Sequence, residues 1–171
     1  GYTGIGSMPG YIQIIIAPNE YNLEKLQSCI AHEFHHNVLF FNVKWNFINV
    51  TVSQYLTVEG LAESFASALY GKAFIGPWVT GVTGSDLTRA REIIGKNLDV
   101  AGFMVVRNYI YGDHPMVPEG QSLGIPYCGG YAVGYHATQA YLLKTGNSIA
   151  GATKAFIDGE DIIKQSGYFT V

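Results

Sequence analysis

Residues 32–36 carry the sequence His-Glu-Phe-His-His, in which two histidines stand four residues apart inside a run of helical period. On an α-helix, four residues separate two side chains by about 40° around the axis and roughly 6 Å along it. The imidazoles of His32 and His36 can therefore reach one metal ion. Glu33 is then close enough to take a proton from a metal-bound water. The pentad requires a helix at this point and indicates a zinc hydrolase.

The residues around the pentad predict a helix with a buried apolar stripe. Asn22 is a suitable N-terminal cap, and apolar residues then recur at steps of three or four. We expect this stripe to face the core, with the histidines at its margin where a cleft can reach them. Its members are Leu23, Leu26, Ile30, Phe34, Val38 and Phe41.

A second helix offers the third protein ligand that a tetrahedral zinc site with one open position needs. The sequence predicts this helix from near Ser53 to Tyr70, with Gly71 as its C-terminal cap. Glu59 and Glu63 lie four residues apart on one of its faces. Two carboxylates are costly to bury alone, and a metal ion together with an imidazole N–H would compensate them. From the residues themselves, either glutamate is a candidate ligand.

The segment that contains both glutamates resembles part of a known zincin group. Residues 59–63 read Glu-Gly-Leu-Ala-Glu, which is similar to the N-E-G-F-A-E segment of the alanyl-aminopeptidase group of gluzincins. This resemblance implies that Glu59 binds the metal and that Glu63 orients a histidine. The extended histidine-rich zincin motif would need glycine at 39 and histidine at 42, where this chain has Leu39 and Asn42.

Nearly the whole chain resembles the YjaZ-like family of predicted zinc-dependent proteases. Four blocks carry the resemblance in the same order: residues 31–38, 59–66, 76–78 and 130–135. The resemblance implies a gluzincin-like peptidase that depends on Zn²⁺ and hydrolyses a peptide or protein substrate. In such an enzyme, Glu33 is the general base that accepts a proton from the attacking water.

Peptide hydrolysis also needs a hydrogen-bond donor for the tetrahedral oxyanion, usually a tyrosine or a histidine in this enzyme class. Tyr131 and Tyr135 share one face of a helix predicted over residues 129–143, and the neighbouring Gly130 and Gly134 allow close approach. We predict Tyr131 first and Tyr135 second as this catalytic donor, the alternative being that both fill the core. Further candidates are His136, His114 and Arg107, whereas His35 is expected to pack or to support a ligand.

The overall pattern predicts a mostly helical α+β fold, namely a zincin-like, gluzincin-type domain with a reduced N-terminal β region. Residues 11–16 read as a strand after a glycine-rich lead at 4–10, and we assign residues 10–15 to pairing with the substrate backbone. Further elements are expected as a helix at 85–98, a helix or strand at 100–111, and one or two short helices within 149–166.

Length and charge suit one domain over residues 1–171 that acts on proteins rather than on nucleic acid. The formal net charge is −3, and no apolar stretch approaches the roughly 20 residues that span a bilayer. The chain starts at Gly1 without a recognisable signal peptide, so we expect a missing N-terminal segment; a bacterial cytoplasm is favoured, and the oligomeric state is undetermined. Cys29 and Cys128 are expected to be free thiols, with pairing or redox sensitivity as the alternative.

Two other classes of function fit the same residues. One is a catalytically silent, zinc-stabilised binding or regulatory module. Glu33 argues against it, because a structural zinc site has no use for a base beside an open coordination position. The other is a metallohydrolase that acts on a non-peptide amide or ester.

Overall fold

The computed structural model describes residues 1–114 and 122–169. The protein is mostly helical and has one small antiparallel sheet, which is the α+β arrangement expected from the sequence. In chain order the elements are β1 (Tyr2–Met8), β2 (Tyr11–Ile16), α1 (Glu20–Asn42), α2 (Val52–Tyr70), a 3₁₀ turn (Lys72–Phe74), α3 (Pro77–Thr80), α4 (Gly84–Gly95), α5 (Phe103–Tyr111), α6 (Gly129–Thr145), α7 (Ile149–Ile157) and α8 (Ile162–Gln165).

Helix α2 is the centre of the fold and packs against α1 and α6. Its N-terminus is closed by a capping box, in which Thr51 and Gln54 satisfy each other's backbone N–H groups. The crossing with α6 is close because Gly60 and Gly134 meet there: a Cβ atom on Gly60 would overlap the carbonyl oxygen of Gly134. The predicted helix from near Ser53 to Tyr70 is confirmed, and it packs against both α1 and α6.

Two clusters of buried apolar side chains lie on either side of α2. In one cluster, Leu56 packs with residues of α4, α5, α6 and α8. In the other, Val58 and Leu61 pack with Leu39 of α1, Tyr141 of α6 and residues of α7. Because both clusters share α2, burial of apolar surface fixes the position of this helix relative to α1 and α6.

Helix α1 buries its polar face, so the prediction of a buried apolar stripe is wrong. Of that stripe, Leu26 is half-buried and the other five residues are exposed, Phe41 by 77%. The N-terminal cap is Asn19, whose side chain accepts a 2.8 Å hydrogen bond from the backbone N–H of Asn22. The face that turns inward carries Asn22, Lys25, Ser28, Cys29, His32, Glu33, His35 and His36. Several of these groups have hydrogen-bond partners elsewhere in the fold: Lys25 donates to the carbonyl oxygen of Ala73, His32 pairs with Glu63, and His35 pairs with Thr153. That compensation makes their burial possible.

A β-hairpin lies across the inner side of α1. Strand β2 occupies the predicted residues 11–16, but residues 2–8 form a second strand where a glycine-rich lead was expected. Asn37 of α1 holds the hairpin, because its amide donates to the carbonyl oxygens of Met8 at 2.7 Å and Tyr11 at 2.9 Å. Its side-chain oxygen also accepts from the backbone N–H of Gly10 at 2.9 Å. This clamp fixes the sheet next to the His-Glu-x-x-His segment.

The C-terminal elements follow the predictions closely. Helix α6 covers the predicted 129–143 segment and ends at Gly146 in the left-handed region, with φ 71°. Residues 103–111 are a helix, and two short helices lie within 149–166. Both cysteines are free thiols. Within residues 1–114 and 122–169, no helix combines the length and the apolar character that crossing a bilayer requires.

Candidate metal centre and its cleft

Three side chains from two helices meet at the floor of a cleft. His32 and His36 of α1 direct their Nε2 atoms at Glu59 of α2, and each Nε2 lies 3.3 Å from the Oε2 atom of Glu59. The three side chains are buried, and their ligand-type atoms all lie within 4.8 Å of one another. Two imidazole nitrogens and one carboxylate oxygen are a donor set that zinc accepts, with a fourth position left for water or substrate.

Glu63 lies one turn after Glu59 and fixes the orientation of His32. Its carboxylate accepts hydrogen bonds from His32 Nδ1 at 2.9 Å, from Trp78 Nε1 at 2.9 Å and from the backbone N–H of Gly76 at 2.6 Å. When the His32 imidazole is neutral, a proton on Nδ1 leaves the lone pair of Nε2 available to a metal ion. The structure thus puts Glu59 among the three ligand-type residues and Glu63 behind His32.

Burial and charge oppose each other at this centre. Burial alone would lower the pKa of His32, but hydrogen bonds to Glu59 and Glu63 outweigh it and raise the pKa to about 10. Burial would likewise raise the pKa of Glu59, but the charge of His36 and hydrogen bonds with both histidines lower it to about 2. His36 Nδ1 has no hydrogen-bond partner among the described residues. The centre therefore favours an ionised carboxylate paired with a cation.

Glu33 sits beside the centre under strand β1. A Cβ atom on Gly4 would overlap the Glu33 carboxylate, and one on Gly6 would overlap the backbone of Glu33. Residues 2–7 of β1 line the cleft. Residues 10–15, which were assigned to pairing with the substrate, are not among the lining residues. The glycines of β1 allow that strand to lie directly on α1.

Three tyrosines from different helices line the cleft near Glu59. Tyr131 of α6, Tyr55 of α2 and Tyr111 at the end of α5 are all among the lining residues. The rings of Tyr111 and Tyr131 lie against each other, with centroids 5.9 Å apart. Burial first and the charge of Glu59 second raise the pKa values of Tyr55 and Tyr131, so both phenols stay protonated and can donate. They form a group of neutral hydroxyl donors within the field of the Glu59 carboxylate.

The structure does not bring Tyr135 to this cleft. Tyr135 is buried one turn beyond Tyr131 and is not among the residues that line the cleft. Because α6 crosses α2 at Gly134, the helix leads Tyr135 away from the ligand-type residues. The prediction of Tyr135 as a catalytic donor is therefore not carried further.

The remaining candidates lie elsewhere. His35 contacts Thr153 Oγ1 of α7 at 2.9 Å, and burial together with the two neighbouring histidines lowers its pKa to about 3. The ring of His136 stacks on Tyr168, 6.5 Å away. None of the three residues His114, His136 and Arg107 lines the cleft; the His114 ring faces that of Tyr127, and Arg107 is exposed on α5.

Two features of the site were missed from the sequence. Tyr55 was not among the predicted site residues, although it lies one turn before Glu59 and that spacing places it on the same side of α2. The glycine-rich lead at 4–10 was not predicted to be a strand. Alternate glycines at 4 and 6 are the signal that a strand can press one face against a helix.

Comparison with known proteins gives one family and one relative. A family model described as "Predicted Zn-dependent protease (DUF2268)" matches residues 1–164. The chain is 44% identical over 171 residues to "Uncharacterized protein YjfC" of Bacillus subtilis (strain 168). That alignment covers 99% of this chain and 56% of the relative, so the chain spans little more than half of the relative's length. No solved structure matches the chain significantly.

Proposed function

This chain belongs to the family of predicted Zn-dependent proteases, and we propose that it is a zinc peptidase whose metal is held by His32, His36 and Glu59. One observation carries the proposal. Two imidazole nitrogens lie 3.3 Å from one buried carboxylate oxygen at the floor of a cleft, with a second carboxylate, that of Glu33, next to them. A purely structural zinc site would have four protein ligands and no adjacent base.

The chemistry divides between the metal and the side chains. Zinc, when bound, supplies a Lewis acid that lowers the pKa of a water molecule toward neutrality. The carboxylate of Glu33 accepts the proton that the attacking water loses and passes it to the amine nitrogen that leaves. Glu63 holds the Nδ1 proton of His32 and so keeps Nε2 available as a ligand atom.

The oxyanion donor in this proposal is Tyr131, supported by Tyr111 and Tyr55. A neutral phenol in a dry site stabilises a developing negative charge, because its O–H dipole is already oriented when the charge forms. The ring of Tyr111 packs against that of Tyr131, with centroids 5.9 Å apart, and so supports the position of Tyr131 before the substrate binds. Loss of such a donor typically lowers kcat by about 10²- to 10³-fold.

We further propose that residues 1–171 form a zincin-like, gluzincin-type domain. The His-Glu-x-x-His helix, the following glutamate helix and a strand that lies along the cleft are the parts on which this rests. In the described residues the sheet has two strands, so one edge of β1 is left without a partner strand. An extended peptide substrate would pair with that edge by β-augmentation.

The proposal is tested by digestion of a diverse peptide mixture, read by mass spectrometry. Zinc-loaded protein is compared with Glu33→Gln and with a chelator-treated sample. We expect cleavage that disappears after chelation, and that falls by about 10²- to 10⁴-fold in Glu33→Gln although its zinc content is unchanged. Full activity of Glu33→Gln would remove this residue from the mechanism. No cleavage by protein with one bound zinc would refute the peptidase proposal.

The ligand assignment has its own test. Glu59→Ala should weaken zinc binding far more than Glu63→Ala, because the first removes a ligand atom and the second removes an orienting partner. The reverse order would reassign the third ligand to Glu63.

A further inference from the structure

One side of the cleft is a continuous surface of aromatic rings, which we call the aromatic wall. Neighbouring ring centroids lie 5.2 to 6.4 Å apart, in edge-to-face and stacked arrangements. Such contacts hold the rings at fixed positions. All members also line the cleft, and they are Phe40, Trp45, Phe47, Tyr55 and Phe103.

The aromatic wall begins at the ligand-type residues. Phe40 follows His36 by one turn of α1, and the two ring centroids are 5.9 Å apart. Tyr55 precedes Glu59 by one turn of α2. A substrate whose reacting carbonyl lies at the centre would therefore direct an adjacent side chain onto the wall.

The wall is open to a ligand rather than closed by the protein. Phe40, Trp45, Tyr55 and Phe103 are half-buried, and Phe47 is 53% exposed. The cleft as a whole has a volume of about 640 Å³, within the range of sites that enclose a small ligand. Ring faces that are held in place and still contact solvent lose water favourably when an apolar group covers them.

Charge in the cleft is confined to its centre. Among the described residues that line it, the carboxylate and imidazole side chains are those of His32, Glu33, His36 and Glu59. The described lining residues include no lysine or arginine to pair with a substrate carboxylate, and no further acid to pair with an ammonium group. A chain terminus or a charged side chain placed on the wall would lose water without a compensating partner.

We propose that the aromatic wall is the subsite for a large apolar side chain, aromatic above all, next to the scissile bond of an internal peptide segment. The inference rests on the proposed peptidase function and specifies its substrate class: blocked or internal sequences that contain phenylalanine or a residue of similar size. Burial of one such side chain against the wall favours its peptide over the alanine analogue by about 10- to 100-fold in kcat/KM.

The test uses peptides that are acetylated at the N-terminus, amidated at the C-terminus and varied at one position among Phe, Leu, Ala and Lys. Zinc-loaded protein should cleave the Phe peptide with a kcat/KM about 10- to 100-fold above that for the Ala peptide, and the Lys peptide should be poorest. Phe103→Ala should lower kcat/KM for the Phe peptide far more than for the Ala peptide, so that most of this preference is lost. Phe103→Leu should restore part of it.

Two further variants separate recognition from folding. Trp45→Ala removes a different ring of the wall and should reduce the same preference. Phe74→Ala is the matched control, because Phe74 is a half-buried phenylalanine outside the cleft. It should leave the Phe-to-Ala ratio unchanged. A wall variant that slows both peptides equally would overturn the inference and leave the peptidase proposal intact.

Binding gives a readout that does not depend on turnover. Titration calorimetry of the blocked Phe and Ala peptides into zinc-loaded Glu33→Gln should show tighter binding of the Phe peptide, and Phe103→Ala in that background should remove the difference. Equal affinities would overturn the inference even if cleavage is observed. A difference in affinity without any cleavage by the parent protein would support the wall as a binding site and count against the peptidase proposal alone.

Discussion

A substitution at Glu63 provides the sharpest test of how the protein orients His32 in the candidate metal centre. Its buried carboxylate accepts from His32, Trp78 and the backbone N–H of Gly76, and two of these hydrogen bonds share one oxygen atom. In Glu63→Gln the side chain has the same shape, but one oxygen becomes an NH₂ group that can only donate. The variant keeps two of the three hydrogen bonds if its amide oxygen faces His32 and Trp78. Its NH₂ group then lies opposite the backbone N–H of Gly76, and that hydrogen bond is lost.

The expected cost follows from this geometry. One charge-assisted hydrogen bond is lost and a buried backbone donor is left without an acceptor, which lowers the free energy of unfolding by about 1.5–3 kcal/mol. The remaining contact with His32 is no longer to a charged group. Loss of this kind of support typically weakens metal binding by about 10- to 100-fold, or about 1.4–2.7 kcal/mol.

The two quantities are measured separately. Urea unfolding of the metal-free protein, followed by circular dichroism, gives the change in stability, and competition with a chromogenic chelator gives the zinc affinity. Glu24→Gln is the control, because Glu24 is an exposed glutamate on α1. It should change both values very little. Zinc affinity within twofold of the parent protein, together with unchanged stability, would refute the orienting role of Glu63.

Three other predictions address packing, the general base and pH. Gly60→Ala should lower the free energy of unfolding by about 1–3 kcal/mol or more, because the added methyl group meets the α6 backbone. Gly151→Ala is the control: its methyl group has room, and it should raise the free energy of unfolding by less than about 1 kcal/mol. Thermal unfolding compares the two variants. Gly4→Ala places a methyl group against the Glu33 carboxylate and should lower kcat at least about tenfold at full zinc content, so an unchanged kcat would contradict the proposed contact. Metal-free protein should be most stable near pH 6.5 in urea titrations across pH. Above pH 6.5 the protein loses the stability contributed by His32, because the pKa of His32 is raised to about 10 in the folded state. Below pH 6.5 it loses the stability contributed by His35, because the pKa of His35 is lowered to about 3. Each loss is about 1.4 kcal/mol per pH unit. A steady rise or fall through neutral pH would contradict these assignments.

Part of this fold could be predicted from local patterns. The helix that carries Glu59 and Glu63 has a capping box, an apolar core face and a terminal glycine, and the structure has it within one residue of the predicted start. Helix α6 and strand β2 likewise have clear boundaries in the sequence. The spacing of His32 and His36 also predicts that both imidazoles can reach one point, as they do at Glu59. In these segments local preference and tertiary packing agree.

The inner face of α1 could not be predicted by the same reasoning. Hydrophobic periodicity assumes that the apolar side of a helix is the buried one, and here the buried side carries three histidines and Glu33. Their burial depends on partners supplied by distant residues such as Glu59, Glu63 and Thr153. Such pairings appear only after the helices have been placed in three dimensions.

Strand β1 and the tyrosine group were hidden for different reasons. Glycines at 4 and 6 lower the strand preference of β1. They allow close contact with Glu33, which is distant in the sequence, so the contact is not visible from local patterns. Tyr111 stands at the end of a short helix, and it joins Tyr55 and Tyr131 at the cleft only because α2, α5 and α6 converge there. Neither arrangement leaves a periodic pattern in the sequence.

The outward apolar stripe of α1 has a practical consequence for work on the isolated chain. Environment-sensitive dyes fluoresce when they bind contiguous exposed apolar side chains, and Ile30, Phe34 and Val38 present such a row in the folded state. The native protein will therefore give a bright dye signal before any heating. A melting curve read from such a dye would report the loss of this row together with the exposure of the core, so ellipticity or the emission of Trp45 and Trp78 is the appropriate measure of unfolding.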